Sequence, residues 1–166
     1  MTIHIHQGWQ ADALRGAYRV ALESPDPSTQ CGALVFDEDF RFVASGCNDF
    51  TKGVENTPER LERPLKYAYV EHAERNAIFR AVGTGKIPTI MVAPWAACTE
   101  CARAVVASGI QVLIRHKQIS DRSPERWRES IEFADGLMVA GGVQIIDYDG
   151  SLGAEPILHN GELWTP

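Results

Sequence analysis

The segment that decides the fold reads Tyr69-Val70-Glu71-His72-Ala73-Glu74-Arg75-Asn76-Ala77-Ile78, and a second segment, Ala97-Cys98-Thr99-Glu100-Cys101, follows a short way downstream. The first carries a histidine with a glutamate two positions later, and the second carries a Cys-x-x-Cys pair. Catalytic zinc commonly takes three protein ligands from His, Cys and carboxylate and keeps a fourth position for water. The two segments together therefore predict one zinc site formed by His72, Cys98 and Cys101.

Both segments are predicted to begin a helix, and this placement suits a metal site. Backbone amides and the positive end of the helix dipole favour thiolate over thiol at a helix start. Glu74 follows His72 by two positions, so on the first turn it would point near the metal without having to bind it. That is the position of a general acid/base that works on water.

Each half of the pattern also has an ordinary interpretation. A Cys-x-x-Cys pair is typical of a redox pair or of half of a structural zinc site, and His-x-Glu pairs occur by chance in many helices. The combination is more specific, because His-x-Glu followed by Pro-Cys-x-x-Cys is the signature of zinc nucleobase deaminases. In this sequence Ala97 stands where that signature has proline, and the nearest proline is Pro94.

Length and composition limit the possible functions. A chain of 166 residues with 45% hydrophobic content predicts a single domain over residues 1–166, with a core at about 9–147 and a tail at 148–166 that packs on the core or on a partner subunit. The net charge of -6 without a basic run predicts no polynucleotide partner. No run of about 18 apolar residues and no secretion signal are present, which predicts a cytoplasmic protein without a membrane partner.

Hydrophobic periodicity gives the order of the elements. We expect helices at about residues 9–24, 70–82, 98–108 and 124–138, and strands at 31–36, 42–47, 89–93, 111–115 and 143–147, with a long loop over 48–66. A helix between the fourth and fifth strands makes those two strands parallel neighbours, since a right-handed crossover returns the chain in the same direction. The prediction is an α/β fold, with helices on both faces of one mixed five-stranded sheet.

Three stretches resemble the cytidine and deoxycytidylate deaminase superfamily, most closely the deoxycytidylate (dCMP) deaminases. Ser28-Thr29-Gln30-Cys31-Gly32-Ala33 resembles the start of the family's first strand, Gly46-Cys47-Asn48 its substrate-binding asparagine, and residues 69–78 its zinc-histidine helix. The likeness covers roughly residues 9–147. It implies a three-layer α/β/α sandwich with the cytidine deaminase-like fold, a homo-oligomer, and hydrolytic loss of ammonia from C4 of a cytosine ring.

The resemblance also implies roles for individual residues. One catalytic zinc ion would activate water, and Glu74 would move the proton from that water to the ring and then to the departing amine. Asn48 would hold the sugar, and the backbone amide of Ala73 would bind the pyrimidine carbonyl. The substrate would be a small molecule, a nucleotide or a nucleobase, and the reaction to expect first is dCMP and water giving dUMP and ammonia.

Two candidate substrate residues lie where the sequence departs from the dCMP deaminases. Trp95, three positions before Cys98, either stacks on a base or belongs to the core. After Asn48 the chain has Asp49-Phe50-Thr51-Lys52-Gly53, whereas these enzymes tend to have Gly-x-Pro-x-Gly. Lys52 either neutralises a 5′-phosphate or is an ordinary exposed lysine of the loop.

Two rival functions stay open. In the same class, the altered loop after Asn48 would permit a zinc deaminase acting on another aminated ring, such as a free base, a purine or a modified cytosine. In a different class, the chain would be a non-catalytic, zinc-stabilised module that binds another protein. Glu74 argues against the second, because a purely structural site does not need an acid/base beside an open coordination position.

Overall fold

The structure is a computed structural model that describes residues 3–166, in which helices and strands alternate along most of the chain. In chain order the elements are α1 (Gln7–Ala21), β1 (Gly32–Phe36), β2 (Phe42–Cys47), β3 (Asp49–Phe50), a 3₁₀ turn (Pro58–Leu61), α2 (Lys66–Tyr69), β4 (Val70–Glu71), α3 (Ala73–Val82), β5 (Ile90–Val92), α4 (Thr99–Ala107), β6 (Val112–His116), α5 (Lys117–Ser120), α6 (Glu125–Ala140), β7 (Gln144–Tyr148), β8 (Ile157–His159) and β9 (Glu162–Trp164). No helix within these described residues is long and apolar enough to cross a membrane.

Five strands form one mixed sheet in the order β2-β1-β5-β6-β7. Strand β1 runs antiparallel to both β2 and β5, whereas β5, β6 and β7 run parallel to one another. Helix α4 connects β5 to β6, and α5 and α6 connect β6 to β7, as parallel strands require. The predicted mixed five-stranded sheet and the predicted parallel pairing of its last two strands are confirmed.

Alternate side chains of the central strands supply two separate cores. Along β1, Ala33 and Val35 pack with α3, α4 and α6, whereas Leu34 and Phe36 pack with α1 on the opposite face. Successive side chains of a strand point to opposite faces of a sheet. The result is the expected α/β/α sandwich, with the sheet as its middle layer.

The segment predicted as a loop over residues 48–66 contains more regular structure than expected. Strand β3 pairs antiparallel with β4, Asp49 opposite Glu71 and Phe50 opposite Val70. Because residues 70 and 71 are extended in this pairing, α3 begins at Ala73 and not at residue 70 as predicted. His72 is consequently the N-cap of α3, with φ -74° and ψ 152°.

The tail after residue 148 packs on the body and forms a second hairpin, β8–β9. Its turn is Asn160-Gly161, and both residues have positive φ, 53° and 84°. Asn-Gly is the preferred pair for a two-residue hairpin turn, because both residues tolerate positive φ. This dipeptide is a local sequence signal for a hairpin that hydrophobic periodicity does not reveal.

Helix α3 lies unusually close to β2, and Gly46 permits this. A Cβ added to Gly46 would lie 2.5 Å from the backbone nitrogen of Ala77 and 2.8 Å from the backbone oxygen of Ala73. Any larger residue would push α3, and with it His72, away from the sheet.

We expect Gly46→Ala to lower the free energy of unfolding by about 1–3 kcal/mol, the usual effect of forcing a methyl group into a packed contact. The matched control is Gly136→Ala in α6, where an added Cβ meets nothing within 4 Å. The control should raise the free energy of unfolding by up to about 1 kcal/mol. Urea denaturation of both variants provides the measurement, and equal stabilities would contradict the packing argument.

A buried polar chain joins α1 to β6 beneath the tail. The Tyr18 hydroxyl donates to Nδ1 of His116 over 2.7 Å, and Nε2 of His116 donates to the carbonyl of Gly150 over 2.9 Å. Nε1 of Trp164 donates in turn to the Tyr18 hydroxyl over 3.4 Å. Burial lowers the pKa of His116, and the neutral ring is the form that can accept from Tyr18.

The folded protein should therefore lose stability as pH falls below about 6.5, the ordinary pKa of histidine. Below that pH the unfolded chain binds a proton at His116 that the folded chain resists, so protonation favours unfolding. Thermal unfolding from pH 7 to pH 5 checks this. His116→Gln should be less stable than the wild type at pH 7 and should show a smaller decline towards pH 5; an equal decline in both proteins would contradict the assignment.

Candidate active site

Three potential metal ligands converge where the N-termini of α3 and α4 meet. His72 is the N-cap of α3, Cys98 is the N-cap of α4, and Cys101 lies in the first turn of α4. Nδ1 of His72 is 3.5 Å from Sγ of Cys98 and 3.4 Å from Sγ of Cys101. All three donor atoms lie within 4.8 Å of one another.

This donor set fits a single zinc ion. Zinc binds imidazole nitrogen at about 2.1 Å and thiolate sulfur at about 2.3 Å, so a tetrahedral ion separates such a pair of donors by about 3.6 Å. The two nitrogen–sulfur distances, 3.5 and 3.4 Å, are close to that value. One nitrogen and two sulfur donors leave a fourth tetrahedral position for a small ligand.

The surroundings of the two cysteines favour a thiolate at Cys98. A hydrogen bond from the Cys101 thiol, assisted by His72, lowers the pKa of Cys98 to about 3. The same hydrogen bond, together with burial, raises the pKa of Cys101. This arrangement favours one thiolate in the cluster, and metal binding would displace the remaining thiol proton.

Glu74 lies in the first turn of α3 and lines the same cavity as His72 and Cys98. Its side chain is buried, with a relative exposure of 8% for the residue. Burial raises the pKa of Glu74, and the neighbouring His72 opposes that shift. A buried carboxyl group with a raised pKa can both accept and return a proton near neutral pH.

Glu71 and Arg75 fix the backbone around His72. A carboxylate oxygen of Glu71 accepts a hydrogen bond from the His72 amide over 2.9 Å and also binds the Arg75 guanidinium. Arg75 further approaches Glu100 on α4, at 3.8 Å. This chain of charges links the starts of the two helices, and none of its three side chains is among the residues that line the cavity.

Asn48 lines the cavity, and hydrogen bonds hold its side-chain amide in one orientation. Its Oδ1 accepts from the Cys31 amide over 2.7 Å, and its Nδ2 donates to the Thr29 carbonyl over 2.8 Å. An amide oxygen has two lone pairs, so one acceptor site of Asn48 remains for a ligand. Asn48, the residue predicted to bind substrate, therefore lines the cavity and can accept one further hydrogen bond at its Oδ1.

A buried ion pair, which the sequence did not reveal, supports this wall of the cavity. Nζ of Lys66 lies 2.7 Å from Oδ2 of Asp26 and 3.0 Å from Oγ of Ser28. Burial alone would raise the pKa of Asp26, but the hydrogen bonds from Lys66 and from the amides of Ser28 and Thr29 outweigh it and lower that pKa. The charge of Lys66 is compensated within the protein.

Aromatic rings form another wall. Trp95, predicted either to stack on a base or to belong to the core, lines the cavity together with Trp127 and Tyr67. The indole nitrogen of Trp95 donates to Oγ of Ser123 over 2.7 Å. The ring centroid of Trp127 lies 6.2 Å from that of Trp95 and 6.1 Å from that of His72.

Ala73, another residue predicted to bind substrate, also lines the cavity, at the start of α3.

The predicted phosphate contact, Lys52, is not brought to this cavity. Lys52 lies in an exposed turn and is not one of the lining residues. The cations that line the cavity are Arg63, Lys66 and Arg126, and both arginines are exposed to solvent. The chain path accounts for this position: β3 pairs with β4, and residues 51–56, which follow β3, are exposed, so a contact between Lys52 and a phosphate stays a prediction.

Taken together, a mixed sheet between helical layers and a His-Cys-Cys cluster beside a buried glutamate define a metal-dependent hydrolytic enzyme. Residues 7–117 match the family described as "Cytidine and deoxycytidylate deaminase zinc-binding region". The chain belongs to this deaminase family, and its His72, Cys98 and Cys101 group is positioned for one metal ion. The predicted enzyme class, hydrolytic deaminase, is confirmed.

Individual relatives agree with this assignment. An uncharacterized deaminase from the luxG 3′ region of Aliivibrio fischeri is 31% identical over 137 residues, which cover 82% of this chain and 91% of that protein. Human deoxycytidylate deaminase is 32% identical over 112 residues, which cover 64% of this chain and 63% of the human protein, less than two thirds of its length. The crystal structure of a dCMP deaminase from cyanophage S-TIM5 has the same fold, with a TM-score of 0.67 at 14% identity over 86% of this chain and 99% of that one.

Metal analysis tests the donor set directly. We expect about one zinc per chain in the purified protein and a loss of most of it in Cys98→Ser, since a hydroxyl is a much poorer zinc ligand than a thiolate. Cys47→Ala is the matched control, because Cys47 is a buried thiol outside the cluster. Full zinc in Cys98→Ser, or equal loss in both variants, would contradict the proposed ligands.

Proposed function

We propose that the protein catalyses the zinc-dependent hydrolytic deamination of a cytosine nucleotide, with dCMP and water as substrates and dUMP and ammonia as products. The observation that carries the proposal is the buried carboxyl group of Glu74, which lines the same cavity as the metal-binding cluster. The similarity to human deoxycytidylate deaminase supports dCMP as the first substrate to test.

His72, Cys98 and Cys101 would hold the metal at the wall of the cavity, where His72 and Cys98 are lining residues. A zinc ion bound there would supply Lewis acidity and lower the pKa of a coordinated water. Glu74 accepts a proton from the attacking water and delivers it to N3 of the ring, while the water oxygen adds to C4. Glu74 then transfers the second proton to the amino group, which leaves as ammonia.

The other cavity residues bind and orient the substrate. Trp95 and Trp127 offer apolar ring surfaces against which a pyrimidine can pack. The amide of Ala73, which lies at a helix start, donates to the carbonyl of the base. Asn48 uses the remaining lone pair of its oxygen to accept from a sugar hydroxyl, and its own hydrogen bonds keep it in place.

Two arginines favour a nucleotide over a nucleoside. Among the described residues, no carboxylate forms an ion pair with Arg63 or with Arg126, whereas Lys66 is paired with Asp26. Arg63 donates to the Tyr67 hydroxyl over 2.9 Å, which leaves its charge uncompensated. Guanidinium groups bind phosphate strongly, so a 5′-phosphate at the exposed end of the cavity would form ion pairs with both arginines.

We further propose a homo-oligomer, as the family resemblance implies.

Replacing Glu74 with Gln should separate metal binding from catalysis. We expect Glu74→Gln to retain its zinc and to lose about 10²–10⁴-fold in turnover of dCMP, since the amide cannot shuttle a proton. Zinc content and ammonia release provide the two measurements. Glu129→Gln, at an exposed glutamate of α6, is the matched control and should keep wild-type turnover.

The wild-type protein should also be screened on CMP, deoxycytidine, cytosine, guanine and adenine. A higher kcat/KM on a free base or a purine than on dCMP would replace the proposed substrate with the rival one. A zinc-loaded wild-type protein that releases ammonia from none of these compounds would favour the non-catalytic module.

A further inference from the structure

The β8–β9 hairpin lies outside residues 7–117, the part of the chain that matches the family, and yet it reaches the cavity at three points. Ile157 is one of the lining residues. The ring of His159 meets the ring of Trp95 edge to face, with centroids 4.9 Å apart. Oδ1 of Asn160 accepts a hydrogen bond from Nη2 of Arg126 over 2.8 Å. The family-matched region alone therefore does not complete this cavity.

Hydrogen bonds attach the hairpin firmly to the cavity wall. The amide of Gln30 donates to the carbonyl of Leu158 over 2.8 Å, and the amide of Leu158 donates to Oε1 of Gln30 over 2.9 Å. The turn contributes two more bonds, from Gly161 to the Ser28 carbonyl over 2.7 Å and from Asn160 to Oγ1 of Thr29 over 3.2 Å. The segment 28–30 thus holds the turn in one place relative to the cavity.

Asn160 restrains Arg126 without neutralising it. Its partner atom is a neutral amide oxygen, so the guanidinium keeps its full charge and its other donors. Arg128, two positions further along α6, forms an ion pair with Glu125 at 2.8 Å and does not line the cavity. An arginine has many rotamers to lose on binding, and a neutral partner that selects one of them in advance lowers the entropy lost when a phosphate binds.

We propose that Asn160 is a positioning residue for substrate selection: the β8–β9 hairpin holds Arg126 at the open end of the cavity, so that the cavity prefers a 5′-phosphorylated substrate over the corresponding nucleoside. This inference rests on the proposed function and adds to it the residue that orders the phosphate-binding arginine. Arg126 would contact the phosphate, and Asn160 acts only through Arg126.

Binding of dCMP and of deoxycytidine, measured by calorimetry in the zinc-loaded Glu74→Gln protein, tests the proposal without turnover. Arg126→Gln should weaken dCMP binding about tenfold or more, because a hydrogen bond to a charged group is lost. Asn160→Gly, which keeps the positive φ of the turn, should weaken it about threefold to fivefold. Neither change should affect deoxycytidine binding by more than about twofold. Arg128→Gln is the matched control and should leave both affinities unchanged.

Two further variants test whether Asn160 acts through Arg126 and whether Arg126 contacts the phosphate. Asn160→Gly added to Arg126→Gln should cause no additional loss, since the residue acts through the arginine. Asn160→Asp keeps an acceptor and tolerates positive φ, but it neutralises Arg126; it should weaken dCMP binding while leaving the melting temperature close to that of the wild type. This loss is expected if Arg126 contacts the phosphate, and unchanged dCMP affinity in Asn160→Asp would overturn that contact and this inference with it.

The outcomes distinguish this inference from the proposed function. Equal weakening of dCMP and deoxycytidine binding by Asn160→Gly, or a further loss in the Arg126→Gln background, would overturn the positioning role. If wild-type turnover of dCMP is observed at the same time, the deaminase assignment survives. A wild-type protein that neither binds nor deaminates dCMP would overturn the proposed substrate and this inference together.

Discussion

The N-termini of α3 and α4 meet on one face of the sheet, and the arrangement of the whole site depends on that meeting. His72 precedes one helix and Cys98 precedes the other, so their donor atoms come together only while both helices keep their positions. Gly46 allows α3 to lie against β2 at a distance that a side chain would not permit. A helix start also leaves backbone amides without intrahelical partners. These amides stabilise negative charge on the two cysteine sulfurs, which lie at the start of α4.

The charges around the cavity fall into two groups that obey different constraints. Lys66 and Asp26 are both buried, and a buried charge must be paired because its desolvation is not otherwise offset. Arg63 and Arg126 are exposed, so water solvates them and neutral partners are sufficient. The first group therefore maintains the wall that contains Asn48, and the second remains available to a ligand.

The sequence predicted the parts of the molecule whose determinants are local. Apolar runs identified the five strands of the main sheet, and the spacing of His72, Cys98 and Cys101 identified the metal cluster that the structure brings together. The Lys66–Asp26 pair joins residues 40 positions apart, and a lysine in a charged loop gives no sign that it will be buried. The Asn160-Gly161 turn had a local signal, but its docking on residues 28–30 depends on the assembled sheet.

The position of Lys52 shows why nearness in sequence is a poor guide to which residues line this cavity. Lys52 follows Asn48 closely in sequence, yet β3 pairs with β4 immediately after Asn48, and residues 51–56 are exposed to solvent. The chain next reaches the cavity at Arg63 and Lys66, on its way to β4 and His72. In this part of the chain the residues that share the cavity with Asn48 are therefore those on the returning path, because the pairing of β3 with β4 brings that path back to the metal cluster.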